Sequence, residues 1–395
     1  MNQRRWFTPL VVALLVLTLA ACGSLPAGTD NAKGTSDTAA PVGSATNGQT
    51  AKVGLIAYLT GNGAAYGEAI MSGIKLAQEE LNEKNKGALQ IELAVEDSVG
   101  KRDQALNAAQ KLINSEKVVA IIGPTTSSEM FVVGPVANRS GVPILGTSTV
   151  AEGIPEIGEY VFRNALPESL AVPAAIKKAV EKIPIKKVAI IYAYDDDFTK
   201  SGFETMKATA EELGLEIVRV EKYASGDSDF SAQLTNIQAA KPDAIFASCF
   251  YKEGGLILDQ ARKLGLNLPV VGGDGFNSPQ IIAQAGKASE GVIVASPWFP
   301  ELDEPMVQAF VQNFETRYGK KPDQFAASAY DGLYILSQAL LNSGAADDRA
   351  KMRDALAAIK DFNGVTGKLS FDEVGNPIMN PVVLTIRDGK FVELK

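Results

Sequence analysis

Short apolar runs bounded by turn residues alternate, through most of this chain, with stretches whose apolar positions recur every three or four residues. Residues 53–57 read as a buried strand, and Ile70, Ile74, Ala77 and Leu81 then share one face of a helix. The alternation continues with a strand at 91–95, a helix at 103–113, a strand at 118–122, a helix at 128–138 and a short strand at 142–145. A second series starts after Pro167, with strands at 188–192, 215–220, 244–247, 269–271 and 292–295. Its helices carry Phe203, Met206, Ala210 and Leu213, then span 230–239, then carry Ile257, Ala261 and Leu264. Strands alternating with helices imply βαβ units and parallel sheets, so the predicted class is α/β, with two similar lobes. Helices at 305–318, 324–341 and 349–360 follow, and hairpin-like strands over 367–394 end the chain. Helices placed after the second series have to pack back on the first lobe, which predicts several crossings and a multi-stranded hinge.

The first fifty residues follow a different pattern. Arg4 and Arg5 precede an apolar run from Leu10 to Leu19 that ends in Leu19-Ala20-Ala21-Cys22. The run is too short to cross a membrane comfortably, and small residues precede Cys22, so residues 1–21 read as a signal peptide. The Leu-Ala-Ala-Cys box resembles a bacterial lipobox, which implies that Cys22 becomes the first mature residue and is acylated, although a secreted protein with a chance cysteine would look the same. At roughly 0.8 kcal/mol per buried methylene, more than one acyl chain makes a lasting anchor. Residues 22–50, almost all small or polar, read as a disordered tether between that anchor and the folded body.

Composition removes several chemistries. With no histidine in the chain, histidine triads, histidine acid–base catalysis and histidine-ligated zinc are excluded. Cys249 is the only cysteine besides Cys22, which leaves no internal disulfide in the mature chain. A net charge of −8 without a basic cluster argues against nucleic acid. Gly61-x-Gly63-x-x-x-Gly67 is one residue too long for a dinucleotide fingerprint, and neither a phosphate-binding P-loop nor a hydrolase elbow is present. Asp195-Asp196-Asp197 reads as a solvated turn and helix start, since no EF-hand pattern follows it. No metal or cofactor is expected, and the chain does not read as an enzyme.

What accumulates is a set of loops at strand ends. The stretch Ile121-Ile122-Gly123-Pro124-Thr125-Thr126-Ser127-Ser128 leaves a strand at Gly-Pro and runs into hydroxyls. Thr126, followed three residues later by Glu129, has capping-box spacing, so a helix starts here with free N–H groups. Such a turn suits a carboxylate or phosphate, while a helix needing only a cap gives the same sequence. Tyr66 follows the first strand, Thr147-Ser148-Thr149 the fourth, and Phe198 the first strand of the second series; Phe250-Tyr251 and Gly273-Asp274-Gly275 follow later ones. Ligands of open α/β sheets bind beyond the carboxyl ends of the strands, so these loops can face one crevice. Hydroxyls and N–H groups from one lobe, with Asp274 from the other, suit a zwitterion; Asp274 as an ordinary Asp-Gly turn residue is the alternative.

Tyr66-Gly67, Ile122-Gly123-Pro124-x-x-Ser127, Gly146-Thr147-Ser148-Thr149, Gly273-Asp274-Gly275-Phe276 and Tyr318-Gly319-x-x-Pro322 with Tyr330-Asp331 resemble the type I periplasmic binding proteins of the leucine/isoleucine/valine-binding family. The resemblance covers residues 52–395. It implies two Rossmann-like lobes, 51–167 with 299–370 and 168–298 with 371–395, and an extracytoplasmic solute receptor that hands a small amino acid to ABC permease subunits. By the same resemblance Ser127 and Thr149 would bind the ligand carboxylate, Thr147 would offer its carbonyl to the ammonium, and Asp274 would pair with that ammonium. Tyr66, Phe198, Phe250 and Trp298 would form aromatic walls. Phe198 stands where tyrosine is common and Asp274 is one methylene shorter than the family's glutamate, which leaves amides, urea or aromatic acids open as ligands. A ligand-sensing subunit of a signalling receptor is the reading from another functional class.

Overall fold

A computed structural model describes residues 48–344 and 346–395. The leader, Cys22 and nearly all of the tether lie outside the described residues. The first series contains β1 (Gln49–Ala57), α1 (Ala64–Lys84), β2 (Leu89–Asp97), α2 (Arg102–Asn114), β3 (Ala120–Ile122), α3 (Ser127–Arg139), β4 (Ile144–Gly146) and β5 (Val161–Arg163). The second contains α4 (Glu168–Lys182), β6 (Lys187–Ala193), α5 (Asp197–Glu212), β7 (Glu216–Tyr223), α6 (Ser231–Ala240), β8 (Ala244–Ser248), α7 (Tyr251–Lys263), β9 (Val270–Gly272), α8 (Pro279–Ala285) and β10 (Ile293–Ser296). Then come α9 (Pro305–Tyr318), α10 (Gln324–Ser343), α11 (Arg349–Ala357), β11 (Phe362–Gly364), β12 (Gly367–Phe371), β13 (Pro377–Ile378), β14 (Val382–Arg387) and β15 (Lys390–Glu393).

The first series forms a parallel sheet in the order β2-β1-β3-β4-β5. The second forms the order β15-β14-β10-β9-β8-β6-β7, parallel except for the hairpin β14–β15 at one edge. Helices cover both faces of each sheet, which is why the strands read as unbroken apolar runs. Leu55 of β1 faces a core shared with α1, α9 and α10, whereas Ile56 faces one shared with α2 and α3. Ile190 and Ile191 of β6 divide in the same way between the two cores of the second sheet.

The core under α1 also takes in Phe310, Phe314, Phe325, Leu336 and Leu356, so α9, α10 and α11 lie on the first sheet's side. The chain therefore crosses after β5, after β10 and again after β13. Asn376 Oδ1 accepts from Arg163 Nε at 2.8 Å and the Gly375 carbonyl accepts from the Arg163 N–H at 3.1 Å, so residues 375 and 376 lie against β5. The apolar pattern did not reveal β5, α4 or α8. α4 follows Pro167 and contains Pro173, which lacks the N–H that a helix interior needs, so a helix there has no clean signature.

Candidate ligand-binding cleft

β3 delivers the chain to Gly123, whose φ of +95° lies in the left-handed region. A Cβ there would stand 2.2 Å from the Ile56 carbonyl oxygen, so only glycine turns the chain out of the sheet at this point. Three residues later Thr126 caps α3: its hydroxyl accepts from Glu129 N–H at 3.3 Å, and Glu129 Oε2 accepts from Thr126 N–H at 2.9 Å. The capping box leaves the N–H groups of Ser127 and Ser128 without intrahelical acceptors at the positive end of the helix. Ser127 Oγ accepts from the N–H groups of Val150 and Ala151 at 3.1 and 3.2 Å. Its acceptor capacity is thereby filled, and its O–H remains as a donor. Arg163, fully buried, holds the same loop from behind by donating to the carbonyls of Thr149 at 3.4 Å and Ala151 at 2.6 Å.

The opposite wall is built by the second sheet. Gly275 presses against the Cys249 carbonyl, 2.3 Å from where a Cβ would be, so β8 and β9 end close together and present Phe250 and Asp274 side by side. Asp274 Oδ1 accepts from Gln324 Nε2 at 2.8 Å. Burial pushes its carboxyl up to about 7, against the pull of the Gln324 bond and with some help from Asp323. The nearby Glu168 carboxyl is fully buried, and burial, together with the Asp274 charge, pushes it well above the usual carboxylate range.

Tyr66, in the first turn of α1, spans the two walls. Its hydroxyl donates to the Gly275 carbonyl at 2.8 Å and accepts from Tyr251 N–H at 2.8 Å. The ring lies 4.7 Å from Phe325 and 6.1 Å from Phe250, and Phe198 lies 5.0 Å from Phe250. At the far end of the cleft, Ser128 Oγ donates to Asp196 Oδ2 at 2.6 Å and Arg102 pairs with Asp197 at 2.5 Å. The lobes are thus in contact at both ends of a narrow cavity.

Tyr66, Ser127, Phe198, Phe250 and Asp274 all line that cavity, with Thr125, Thr126, Ser148, Gly275 and Phe325. Thr147 and Thr149 do not; they are buried behind it, and neither hydroxyl has a hydrogen-bond partner. Trp298 is placed elsewhere. Ser296 Oγ donates to the Trp298 carbonyl and accepts from its N–H at 3.2 Å, and this turn carries the indole onto Phe310, 5.8 Å away, in the core of the first lobe. Sequence reasoning passed over Phe325 and Gln324. Their one local signal is Asp323, which follows Pro322 and caps α10 by accepting from Ala326 N–H at 3.0 Å; a helix start of that kind resembles the one at Thr126.

The chain matches the profile of the periplasmic binding protein family over residues 50–390. It is 29% identical over 331 residues to a leucine-, isoleucine-, valine-, threonine- and alanine-binding protein of Pseudomonas aeruginosa, covering 83% of this chain and 87% of the relative. Among solved structures, a leucine-binding protein of Thermotoga maritima superposes with a TM-score of 0.82 at 30% identity, covering 87% of this chain and 97% of the other. A branched-chain amino acid transporter substrate-binding protein of Streptococcus pneumoniae, in complex with isoleucine, gives a TM-score of 0.81 at 31% identity, covering 87% and 98%. A solute-binding protein of R. palustris in complex with benzoate gives 0.81 at 25% identity, covering 88% and 96%.

Proposed function

This chain belongs to the periplasmic binding protein family, and we propose that it is the solute receptor of an ABC importer that captures an α-amino acid with an apolar side chain. One observation carries the reading: the α3 N-terminus with Ser127 and the buried Asp274 carboxyl face the same cavity from opposite lobes. Helix N–H groups and a hydroxyl receive a carboxylate, a carboxylate receives an ammonium, and the rings of Tyr66, Phe198, Phe250 and Phe325 enclose an apolar side chain. The branched-chain ligands named for the Pseudomonas and Streptococcus relatives have this chemistry. The family is one of substrate-binding receptors, and turnover of a bound solute would count against this reading. The two lobes, 51–167 with 299–370 and up to about 378, and 168–298 with the C-terminal hairpin, would close on the ligand as a population shift, because only the closed form lets it touch both walls. Cys22 would carry the lipid that holds the receptor on the extracytoplasmic face, which mass spectrometry of the mature N-terminus tests.

Thermal-shift screening against the proteinogenic amino acids, with mass spectrometry of any co-purified solute, tests the ligand class; stabilisation by leucine, isoleucine or valine is the expected result. A second reading has one observation of its own. An Asp274 carboxyl held near 7 is half neutral at physiological pH and so tolerates a ligand without an ammonium, such as the benzoate bound by the R. palustris relative. Benzoate belongs in the same screen, and stabilisation by it alone would replace the amino acid.

Asp274 also sets the expected pH dependence. The ammonium pairs with the ionised carboxylate, and burial raises the carboxyl above its ordinary value, so protons compete with the ligand below about pH 7. Affinity is expected to be level just above that pH and to fall about tenfold per unit below it. Calorimetry from acid to mildly alkaline pH reads this directly, and a profile flat through the acid range removes the ammonium from Asp274. Tyr66→Phe deletes both hydrogen bonds that the hydroxyl makes across the cleft in the closed form. It is expected to weaken ligand binding by about 1–2 kcal/mol and to enlarge the radius of gyration of the unliganded protein in X-ray scattering.

A further inference from the structure

The first turn of α10 supplies more to the cleft than the Phe325 ring. Gln324 is the first residue of that helix and is 6% exposed, and its Nε2 donates to Asp274 Oδ1 at 2.8 Å. The turn that carries it is held from two sides. Asp323 caps it by accepting from Ala326 N–H at 3.0 Å, and α1 lies so close that a Cβ on Gly73 would stand 2.1 Å from the Ala326 carbonyl oxygen. Gln324 therefore starts from a fixed backbone position on the first lobe's side and reaches a carboxyl on the second.

Among the described residues no Lys or Arg pairs with the Asp274 carboxyl, and Gln324 supplies the one side-chain hydrogen bond that it accepts. The titratable groups that face it are two acids and a phenol: Asp323 on α10, Glu168 on α4, and Tyr66 on α1, whose hydroxyl is engaged by the Gly275 carbonyl. The chemistry of the bonded neighbour decides what the carboxylate is free to do. A lysine or arginine in this place would pair with Asp274 and occupy it as a ligand ammonium would, and a third acid would compete for its proton. An amide donates without carrying charge. It favours the ionised carboxylate, against the burial that opposes it, and leaves the negative charge uncompensated. Because the aspartate side chain is short, a bond at one oxygen also restricts where the other oxygen points.

We infer that Gln324 is a positioning residue of the cleft: by holding Asp274 Oδ1 it directs Oδ2 at the ligand ammonium without neutralising the charge that receives it. The bond joins the two lobes, so the carboxylate is set for the cation where the cleft is closed. This role rests on the reading of the cleft as an amino-acid site.

Calorimetry of the full chain with isoleucine tests the role. Gln324→Met keeps the length of the side chain but has no donor. It is expected to weaken isoleucine about tenfold at pH 7 in the wild-type background, and less than about twofold in Asp274→Asn, where no charge remains to be positioned. The pH below which affinity falls should rise by about one unit in Gln324→Met, because the carboxylate has lost the bond that favours its ionised form and takes up a proton more readily. Gln324→Glu, of the same size, should weaken isoleucine at least as much, since it brings a further acid to the same oxygen. Unchanged binding in either variant, an equal loss from Gln324→Met in both backgrounds, or a loss that leaves the midpoint of the pH profile where it was would each overturn the proposal. Failure of the cleft reading shows separately and first, as a wild-type chain that binds no amino acid and so has no ammonium to position.

Discussion

Asp274→Ala is expected to weaken amino-acid binding by about 2–5 kcal/mol, because it removes the buried charge that faces the ligand ammonium and leaves that cation desolvated without a partner. The unliganded protein should not lose stability in step. A buried carboxyl raised to about 7 is one the folded state holds less easily in its ionised form, so its removal leaves the melting temperature level or higher at neutral pH. That contrast separates a binding role from a folding one. Asp274→Asn, which keeps the bond with Gln324 but not the charge, should lose nearly as much affinity and abolish the pH dependence above. If calorimetry shows either variant binding as the wild type does, the zwitterion reading is lost and a ligand without an ammonium takes its place.

Gly123→Ala is expected to cost about 2–4 kcal/mol of global stability. Two effects add: the left-handed φ, and a Cβ placed 2.2 Å from the Ile56 carbonyl, where both partners are backbone and neither can swing away. Gly319→Ala is the control, since its φ of +67° is also positive but no atom lies within 4 Å of the added Cβ. That variant should lose only about 1 kcal/mol. Urea titration reads both, and equal losses would mean that backbone conformation alone, not the close approach of β1, makes Gly123 necessary. Because this turn aims α3, the Gly123 variant should also bind ligand more weakly than its remaining folded fraction accounts for.

The strands β1, β3, β6 and β8 were legible because parallel strands buried on two faces leave unbroken apolar runs, as at Ile121-Ile122 and Ile190-Ile191. The helices α1, α9 and α10 were equally plain from their apolar periodicity. α4 and β5 were not, since prolines at 167 and 173 and a strand of three residues leave little periodic signal. Ser127 and Asp274, which line the cavity, belong to the loops that leave β3 and β9, and loops at strand ends are visible in the sequence. Trp298 also follows a strand end, yet the Ser296 turn carries it onto Phe310 in the core of the first lobe. Phe325, far along the chain from Tyr66, meets that ring at 4.7 Å only because α10 returns to the first sheet.

The sequence by itself determined what local chemistry can determine: the βαβ alternation, the capping box at Thr126, the leader-like start ending at Cys22, and the exclusion of histidine chemistry. Each of these depends on neighbours within a few residues. Tertiary structure alone decided which strand-end loops share a cavity, that Tyr66 bonds across the cleft, that Trp298 packs in the core of the first lobe, and that burial pushes the Asp274 carboxyl up to about 7. Those outcomes depend on what packs against a residue from distant parts of the chain. Desolvation and cross-cleft contact are properties of that packing, and no local pattern encodes them.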